Sequence, residues 1–103
     1  MEWEEAASGF AAMGSEARLK VIRALVRAGR DGLSVGDIQA RTDIPASTLA
    51  HHLKFLAGAG LVTQERIGRT VINRACFEHI EDLGRFLVSE CCADQMQRNA
   101  ANG

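Results

Sequence analysis

The chain has 103 residues, of which 47% are hydrophobic and 24% are charged, and its formal net charge is −1. This composition is typical of one small globular domain and excludes a disordered or fibrous chain. No stretch approaches the roughly 18 uncharged apolar residues of a membrane span, and the acidic start Met1–Glu5 is unlike a signal or transit peptide. We therefore expect a cytoplasmic protein, without a membrane partner, whose thiols stay reduced.

The charges are distributed unevenly along the chain. Between residues 15 and 76, ten Lys and Arg residues stand against five Asp and Glu residues. The two ends together hold eight acidic residues and only two basic ones, Arg85 and Arg98. A basic middle between acidic ends predicts segregated surfaces, one of which faces an anion.

Apolar residues at helical spacing predict a first helix over residues 3–13. Ser15 is the expected N-cap of a second helix, which runs through Ala28 and stops at Gly29. The buried stripe predicted for this second helix consists of Leu19, Ile22, Leu25 and Val26.

Ser34–Asp37 resembles a capping box and predicts a short third helix with Ile38 turned inward. After a turn, Pro45 suits the first turn of a fourth helix that runs to about Ala57. The inward residues predicted for this helix are Leu49, Leu53 and Leu56.

Two β-rich runs, residues 61–66 and 70–74, predict a hairpin, and a last helix is expected from Phe77 to about Cys92. Residues 93–103 are small and polar and are expected to fray. The order of elements predicts a mainly α, single-domain winged helix-turn-helix over residues 1–103, with five helices and a β-hairpin wing.

The polar side of the fourth helix carries the strongest functional signal. Short hydroxyls and small side chains at the amino end of a helix let the backbone approach a phosphate or a groove wall. An ordinary solvated helix face is the alternative interpretation. The DNA-contacting residues predicted for this helix are Ala46, Ser47, Thr48, Ala50, His51 and Lys54.

Arg66 and Arg69 flank the tip of the hairpin, as expected of a wing that touches phosphate or the minor groove. A solvated turn is the alternative. The neighbouring residues His51 and His52 suggest a zinc site, but adjacent helical residues point about 100° apart and cannot chelate one ion well. We expect His51 to lie toward DNA and His52 to support the helix.

The run Ser47–Leu56, followed by Gly60–Val62 and the hairpin Arg66–Arg69, resembles the ArsR/SmtB family. These are bacterial winged helix-turn-helix repressors that dimerise and release DNA when they bind metal ions, metalloids or other signals. The resemblance covers roughly residues 10–92 and departs from the family at Ile72-Asn73, where a tyrosine is usual. It implies a double-stranded DNA operator as the partner. It also implies a homodimer formed through the first and last helices, whose spare apolar residues are Trp3, Phe10, Leu83 and Leu87.

The vicinal pair Cys91-Cys92 is the second functional signal, because soft thiolates select soft ions. Two small apolar residues at a helix end are the alternative. The pair resembles arsenite- or antimonite-responsive members of the family, in which three thiolates hold the metalloid. Cys76 lies 15 residues before Cys91, or about 22 Å along a helix, so the two cannot join within one chain. A partner subunit could bring Cys76 to the pair, or Cys76 could be buried and inert.

These features together predict a transcriptional repressor that a thiophilic inducer, arsenite or antimonite, releases from its operator. No cofactor is required for that activity. A cysteine redox or persulfide sensor of the same fold is the alternative. No local motif pairs a Cys or Ser nucleophile with a base, and no glycine-rich phosphate loop is present, so catalysis is not expected. A winged helix used only for protein contacts is a further alternative.

Overall fold

The computed structural model describes the backbone of residues 1–102 and the side chains of residues 1–98. Within that range the helices are α1 (Trp3–Met13), α2 (Glu16–Ala28), α3 (Val35–Thr42), α4 (Ala46–Gly58), α5 (Phe77–Val88) and α6 (Ala93–Asn102). The strands are β1 (Leu33–Ser34), β2 (Val62–Ile67) and β3 (Thr70–Ala75). The predicted winged helix-turn-helix is confirmed, with α3 and α4 as the helix-turn-helix and β2–β3 as the wing.

The two predicted serine caps explain where α2 and α3 begin. The Ser15 hydroxyl accepts a hydrogen bond from the backbone N–H of Arg18 at 3.1 Å. The Ser34 hydroxyl accepts one from the backbone N–H of Asp37, also at 3.1 Å. Each bond satisfies an amide that the first turn of a helix leaves without a partner. Both helix starts were therefore predictable from the sequence.

The hydrophobic core lies where α2, α4 and the sheet meet. Leu49, Leu53 and Leu56 of α4 are completely buried, as predicted. The prediction for α2 was wrong in part, because Leu19 and Val26 are exposed. The buried residues of α2 are Val21, Ile22, Ala24 and Leu25. The buried face of α2 therefore includes Ile22 and Leu25, as predicted, but has Val21 and Ala24 in place of Leu19 and Val26.

The sheet has the order β1-β3-β2, and every pairing is antiparallel. Strand β1 has two residues and was not predicted. Its Leu33 pairs with the completely buried Asn73 of β3. The Asn73 side chain donates to the Leu33 carbonyl at 3.2 Å and accepts from the Gln64 side chain at 2.8 Å. A buried amide with both groups bonded anchors the wing to the body of the domain.

The end of the chain differs from the prediction. Helix α5 ends at Val88 rather than near Cys92, and Cys76 is its N-cap residue. Cys92 has a positive φ of 64°, a conformation that does not continue a helix. Ala93–Asn102, part of the segment expected to fray, form the helix α6, and Gly103 lies outside the described residues. Asp94 in the first turn of α6 suits the positive end of the helix dipole.

Helices α1 and α5 pack together within the chain. Gly9 of α1 leaves room for Leu83 of α5, since a Cβ atom at position 9 would lie 2.7 Å from a Leu83 methyl group. Leu83 is only 1% exposed, so its assignment to a spare apolar face was wrong. Trp3 packs edge-on against Phe86 with ring centroids 5.0 Å apart, yet it stays 80% exposed. None of the helices in residues 1–102 has the length and apolar character needed to cross a bilayer.

Candidate nucleic-acid interface and thiol pair

Helix α4 presents one apolar and one polar side. Its three leucines face the core, and every residue of α4 that the sequence singled out for DNA contact lies on the exposed side. These exposed residues are Ala46, Ser47, Thr48, Ala50, His51 and Lys54. The amino end of α4 follows Pro45 and has no side-chain cap. Its first amide groups therefore remain available to an external acceptor, such as a phosphate.

A clamp that the sequence did not predict holds α4 in place. Arg18 donates from Nη1 to the Ala12 carbonyl at 2.8 Å and from Nε to the Ser15 hydroxyl at 3.1 Å. The same guanidinium lies 4.6 Å from the centroid of the Phe55 ring. One arginine thus ties the end of α1, the start of α2 and the outer side of α4 together. Arg18 belongs to the structure of the domain and is not a free cation.

The wing extends beside α4. Gly68 at its tip has a φ of 63°, a left-handed conformation that glycine adopts without strain. Arg66 on β2 and Arg69 at the tip are exposed, as predicted. Arg74 on β3 instead bonds the Glu65 carboxylate at 3.3 Å and the Arg30 carbonyl at 2.9 Å. The structure therefore leaves Arg66 and Arg69 as the wing cations able to reach a ligand.

The basic residues of the middle segment fall into two groups. Within residues 1–98, Lys20, Arg30 and Arg74 each have a carboxylate within 4.0 Å, and Arg18 is held by the clamp. No carboxylate in that range lies so near the remaining cations, which are Arg23, Arg27, Arg41, Lys54, Arg66 and Arg69. Cations without a partner in the protein are the ones that can neutralise an external anion.

The two adjacent histidines point apart, as expected. Their ring centroids are 6.3 Å apart and their planes are inclined by 52°. His51 is exposed and His52 is half-buried. No group of three His, Cys, Asp or Glu residues in the part of the chain that the structure describes is arranged to hold a metal ion. The three cysteines accordingly do not assemble within one chain.

The thiols of Cys91 and Cys92 lie together in the turn between α5 and α6. Their Sγ atoms are 3.4 Å apart and both residues are exposed. The turn consists of bonds between residues three apart, including Cys91 N–H to the Val88 carbonyl at 2.9 Å. Cys91 also lines a cavity of about 440 Å³ with Trp3 and Leu87. The pair therefore adjoins the exposed apolar surface of α1 and α5.

Cys76 lies in a different environment. It is half-buried at the junction of β3 and α5, and its N–H donates to the Leu61 carbonyl at 2.9 Å. Burial, followed by the nearby carboxylate of Glu78, raises the pKa of the Cys76 thiol. At neutral pH this thiol is therefore more fully protonated than an ordinary cysteine. A protonated thiol is a poorer nucleophile and metal ligand than a thiolate.

Comparisons with known proteins agree with this geometry. Residues 13–65 match the family described as "Helix-turn-helix domain". The chain is 30% identical over 82 residues to a protein of Synechocystis sp. named "Transcriptional repressor SmtB homolog", covering 80% of this chain and 60% of that one. The chain spans 60% of the length of the curated relatives that it matches.

Comparison with solved structures shows that the fold is shared as well. An "ArsR-like Transcriptional Regulator from Rhodococcus sp. RHA1" is 29% identical and superposes with a TM-score of 0.76 over 96% of this chain and 90% of that one. A homodimeric winged helix-turn-helix domain from Mycobacterium bovis, described as a possible ArsR-family regulator, is 25% identical, with a TM-score of 0.66 over 89% and 81%. The resemblance noted in the sequence is thus supported by sequence and by fold. The chain belongs to the ArsR/SmtB family of winged helix-turn-helix transcriptional regulators.

Proposed function

We propose that this protein is a transcriptional repressor that binds an operator in double-stranded DNA through α4 and the wing. The observation that carries the proposal is the set of exposed cations on these two elements that have no carboxylate partner among residues 1–98: Lys54, Arg66 and Arg69. Ser47 and Thr48 at the start of α4 would reach base edges, whereas the arginines would contact phosphates. A role restricted to protein contacts predicts no salt-dependent binding to duplex DNA.

The repressor acts as a homodimer in this proposal. Trp3 on α1 and Leu87 on α5 leave large apolar surfaces in water, with Leu87 68% exposed. The M. bovis relative is homodimeric by its description. A second copy that covers these surfaces would place two α4 helices side by side, and paired recognition helices read operators with two-fold symmetry.

The DNA-binding part is tested by measuring affinity for DNA from upstream of the protein's own gene at several salt concentrations. Arg69→Ala should weaken binding to all sequences similarly and lower the salt slope by about one unit per bound subunit. Ser47→Ala and Thr48→Ala should instead change which bases are preferred. Arg98→Ala, which removes an exposed arginine from α6, is the matched control and should change neither property. An unchanged slope for Arg69→Ala would refute the role of the wing.

The proposed inducer site is the thiol pair of Cys91 and Cys92. Two exposed Sγ atoms 3.4 Å apart suit a single soft ion, and arsenite or antimonite is the inducer class that we propose. Arsenous acid would exchange two hydroxyl groups for two thiolates, and the two thiol protons would leave with them as two molecules of water. The three-thiolate version requires Cys76 of a second subunit as well, and the raised pKa of the Cys76 thiol makes this third bond the hardest to form.

Inducer binding would act through the turn that carries the thiols. A ligand releases DNA only if it binds the DNA-free conformation more tightly than the DNA-bound one. Tying both sulfurs to one metalloid fixes the link between α5 and α6, beside the proposed dimer surface. Coupling of this kind is usually about 1–3 kcal/mol, so the inducer should weaken DNA binding by roughly 5- to 150-fold.

The experiment compares release by arsenite, zinc and peroxide in the wild type and in the double variant Cys91→Ser/Cys92→Ser. The variant should keep its DNA affinity and lose its response to arsenite. Cys76→Ser then separates the two versions, because a lost response indicates a three-thiolate site and an intact one a two-thiolate site. Release of the double variant at the wild-type arsenite concentration would place the inducer site elsewhere.

Thiol oxidation or persulfide formation is a second candidate for the same pair, and the short Sγ–Sγ separation favours it as well. Peroxide would oxidise the two thiols to one disulfide, with two molecules of water as the other product. Release by peroxide but not by arsenite would select this alternative.

A further inference from the structure

A second basic surface lies outside α4 and the wing. Helices α2 and α3 form a groove of about 770 Å³ whose rim carries Lys20, Arg23, Arg27 and Arg41. The small residue Ala24 also lines it, and Asp43 is the one acidic residue among residues 1–98 that does. We propose that this groove binds the phosphate backbone of DNA that flanks the segment contacted by α4. The inference rests on the proposed DNA-binding function and extends the footprint of the protein.

The spacing of the α2 cations suits a polyanion. Lys20, Arg23 and Arg27 are three and four residues apart, so they share one face of the helix. Seven helical residues span about 10 Å. Since each strand of B-DNA carries one phosphate per about 3.4 Å of helix axis, this face matches the rise of about three phosphates.

These cations are available for binding. No carboxylate within residues 1–98 lies within 4.0 Å of Arg23, Arg27 or Arg41. Lys20 pairs with Glu16 at 3.2 Å, but both side chains are well exposed. Such surface pairs contribute little and exchange readily for a stronger anion. The groove therefore presents a net positive surface, because residues 1–98 place more cations than carboxylates along it.

The groove adjoins the amino end of α4. Thr42 and Asp43 line the groove, and Ser47 at the start of α4 follows Asp43 by only four residues, within about 15 Å even if that link were fully extended. The Thr42 hydroxyl donates to the Ile38 carbonyl at 2.8 Å and accepts from the Ile44 N–H at 3.4 Å, which fixes the turn between α3 and α4. DNA that meets the start of α4 would thus continue toward the groove.

The lining favours DNA over a protein partner. Interfaces between proteins are centred on aromatic and other large apolar side chains. The residues lining this groove are four cations, one carboxylate, Thr42 and Ala24, and none of them is a large apolar residue. Phosphate contacts need cations in a row and no apolar centre.

The test measures binding to two duplexes from upstream DNA, one trimmed to the minimal protected segment and one extended by about one helical turn on each side, about 10 bp. Arg23→Gln/Arg27→Gln removes two groove cations and keeps good helix formers. On the extended duplex, this double variant should bind about 10-fold more weakly or worse, and its salt slope should fall by about two units per bound subunit. On the minimal duplex, it should match the wild type.

Arg98→Gln is the matched control, because it removes an exposed helical arginine far along the chain from the groove. It should bind both duplexes as the wild type does, and thermal unfolding should show that all variants are folded. Wild-type binding by Arg23→Gln/Arg27→Gln on the extended duplex would overturn the inference, and so would an equal loss on both duplexes. Failure of the wild type to bind either duplex would instead refute the proposed function itself.

Discussion

The surface of α4 and the wing differs from the surface of α1 and α5 in what it leaves without a partner. On α4 the leucines are completely buried, and no carboxylate of residues 1–98 lies within 4.0 Å of Lys54. On α5 the reverse holds, because Arg85 bonds Glu81 at 3.3 Å while Leu87 and Val88 remain exposed. The surface of α4 and the wing therefore carries cations that no carboxylate of residues 1–98 pairs with, whereas the surface of α1 and α5 carries apolar side chains that the described chain does not cover. The first surface suits a polyanion, and the second suits another apolar surface.

The exposed aromatic rings follow the same division. Phe55 on the outer side of α4 is half exposed, but the Arg18 guanidinium covers one of its faces. Trp3 on α1 touches Phe86 only edge-on and keeps 80% of its surface. The domain thus covers its exposed ring near α4 with a cation of its own. It leaves the ring near α5 available to a second copy.

Among the substitutions that test these two surfaces, Leu87→Asp should cause the largest change, in the dimer dissociation constant. Burying an unpaired charge in an interface costs about 3 kcal/mol or more, and a symmetric dimer would contain two such charges. The dimer dissociation constant should therefore rise by at least about 100-fold. Analytical ultracentrifugation at micromolar concentration should find a monomer, and operator affinity should fall with it.

Leu87→Met is the control for that change, because it keeps an apolar side chain of similar volume. It should remain a dimer. If Leu87→Asp is still a dimer at micromolar concentration, or if the wild type is a monomer there, the apolar surface of α1 and α5 is not the dimer interface.

Gly32→Ala probes the opposite region, where β1 supports the wing. Gly32 has a φ of 71°, and a Cβ atom there would lie 2.5 Å from the Asn73 carbonyl oxygen. Gly29 has a similar φ of 77°, but nothing lies within 4 Å of its Cβ position. Backbone strain alone should lower the free energy of unfolding by about 1–3 kcal/mol in Gly29→Ala. The added clash should lower it by about 2 kcal/mol more in Gly32→Ala.

Chemical denaturation measures both values, and their difference isolates the clash with strand β3. Equal destabilisation of the two variants would mean that β1 yields easily and does not anchor the wing. The proposed dimer surface lies on other elements, so neither variant should change the dimer dissociation constant while it remains folded.

Local signals in the sequence were sufficient to predict the elements near the proposed DNA-facing surface. The caps at Ser15 and Ser34 and the leucine spacing of α4 are determined within one or two turns of helix. The elements that the sequence did not predict depend on contacts between residues that are far apart in the chain. Strand β1 exists because Leu33 pairs with Asn73, which lies 40 residues later. No local pattern of two residues could predict that strand.

The candidate sites also differ in whether local sequence patterns could predict them. The exposed positions on α4 and the wing follow from helical and strand periodicity, and their contacts with DNA remain predictions. The α2–α3 groove was not foreseen, because it brings Arg41 to the face of α2 through tertiary packing. The thiol pair was expected at the end of a helix, but a positive φ at Cys92 places it in a turn. Backbone conformations of this kind are decided by the whole fold.

The smallest change is predicted for the labelling rate of the Cys76 thiol, which lies at the junction of β3 and α5, between the surface of α4 and the wing and the surface of α1 and α5. Because the pKa of its thiol is raised, Cys76 carries less thiolate at pH 7 than an ordinary cysteine, so iodoacetamide should label it more slowly than the exposed Cys91 and Cys92. Its labelling rate should keep rising as the pH increases toward the raised pKa. Glu78→Gln removes the negative charge that contributes to the shift, so the pKa should fall and labelling at pH 7 should become faster.

The size of the expected acceleration in Glu78→Gln depends on where the Glu78 side chain lies. The Glu78 side chain is 77% exposed, so water screens its charge and the acceleration should be at most a few-fold. Glu81→Gln, on the same helix, removes a carboxylate that does not contribute to the shift and should leave the rate unchanged. Mass spectrometry of each labelled peptide over time gives the rates. Faster labelling of Cys76 than of Cys91 and Cys92 would mean that the junction of β3 and α5 opens readily, and the two regions would then be less firmly joined than their packing indicates.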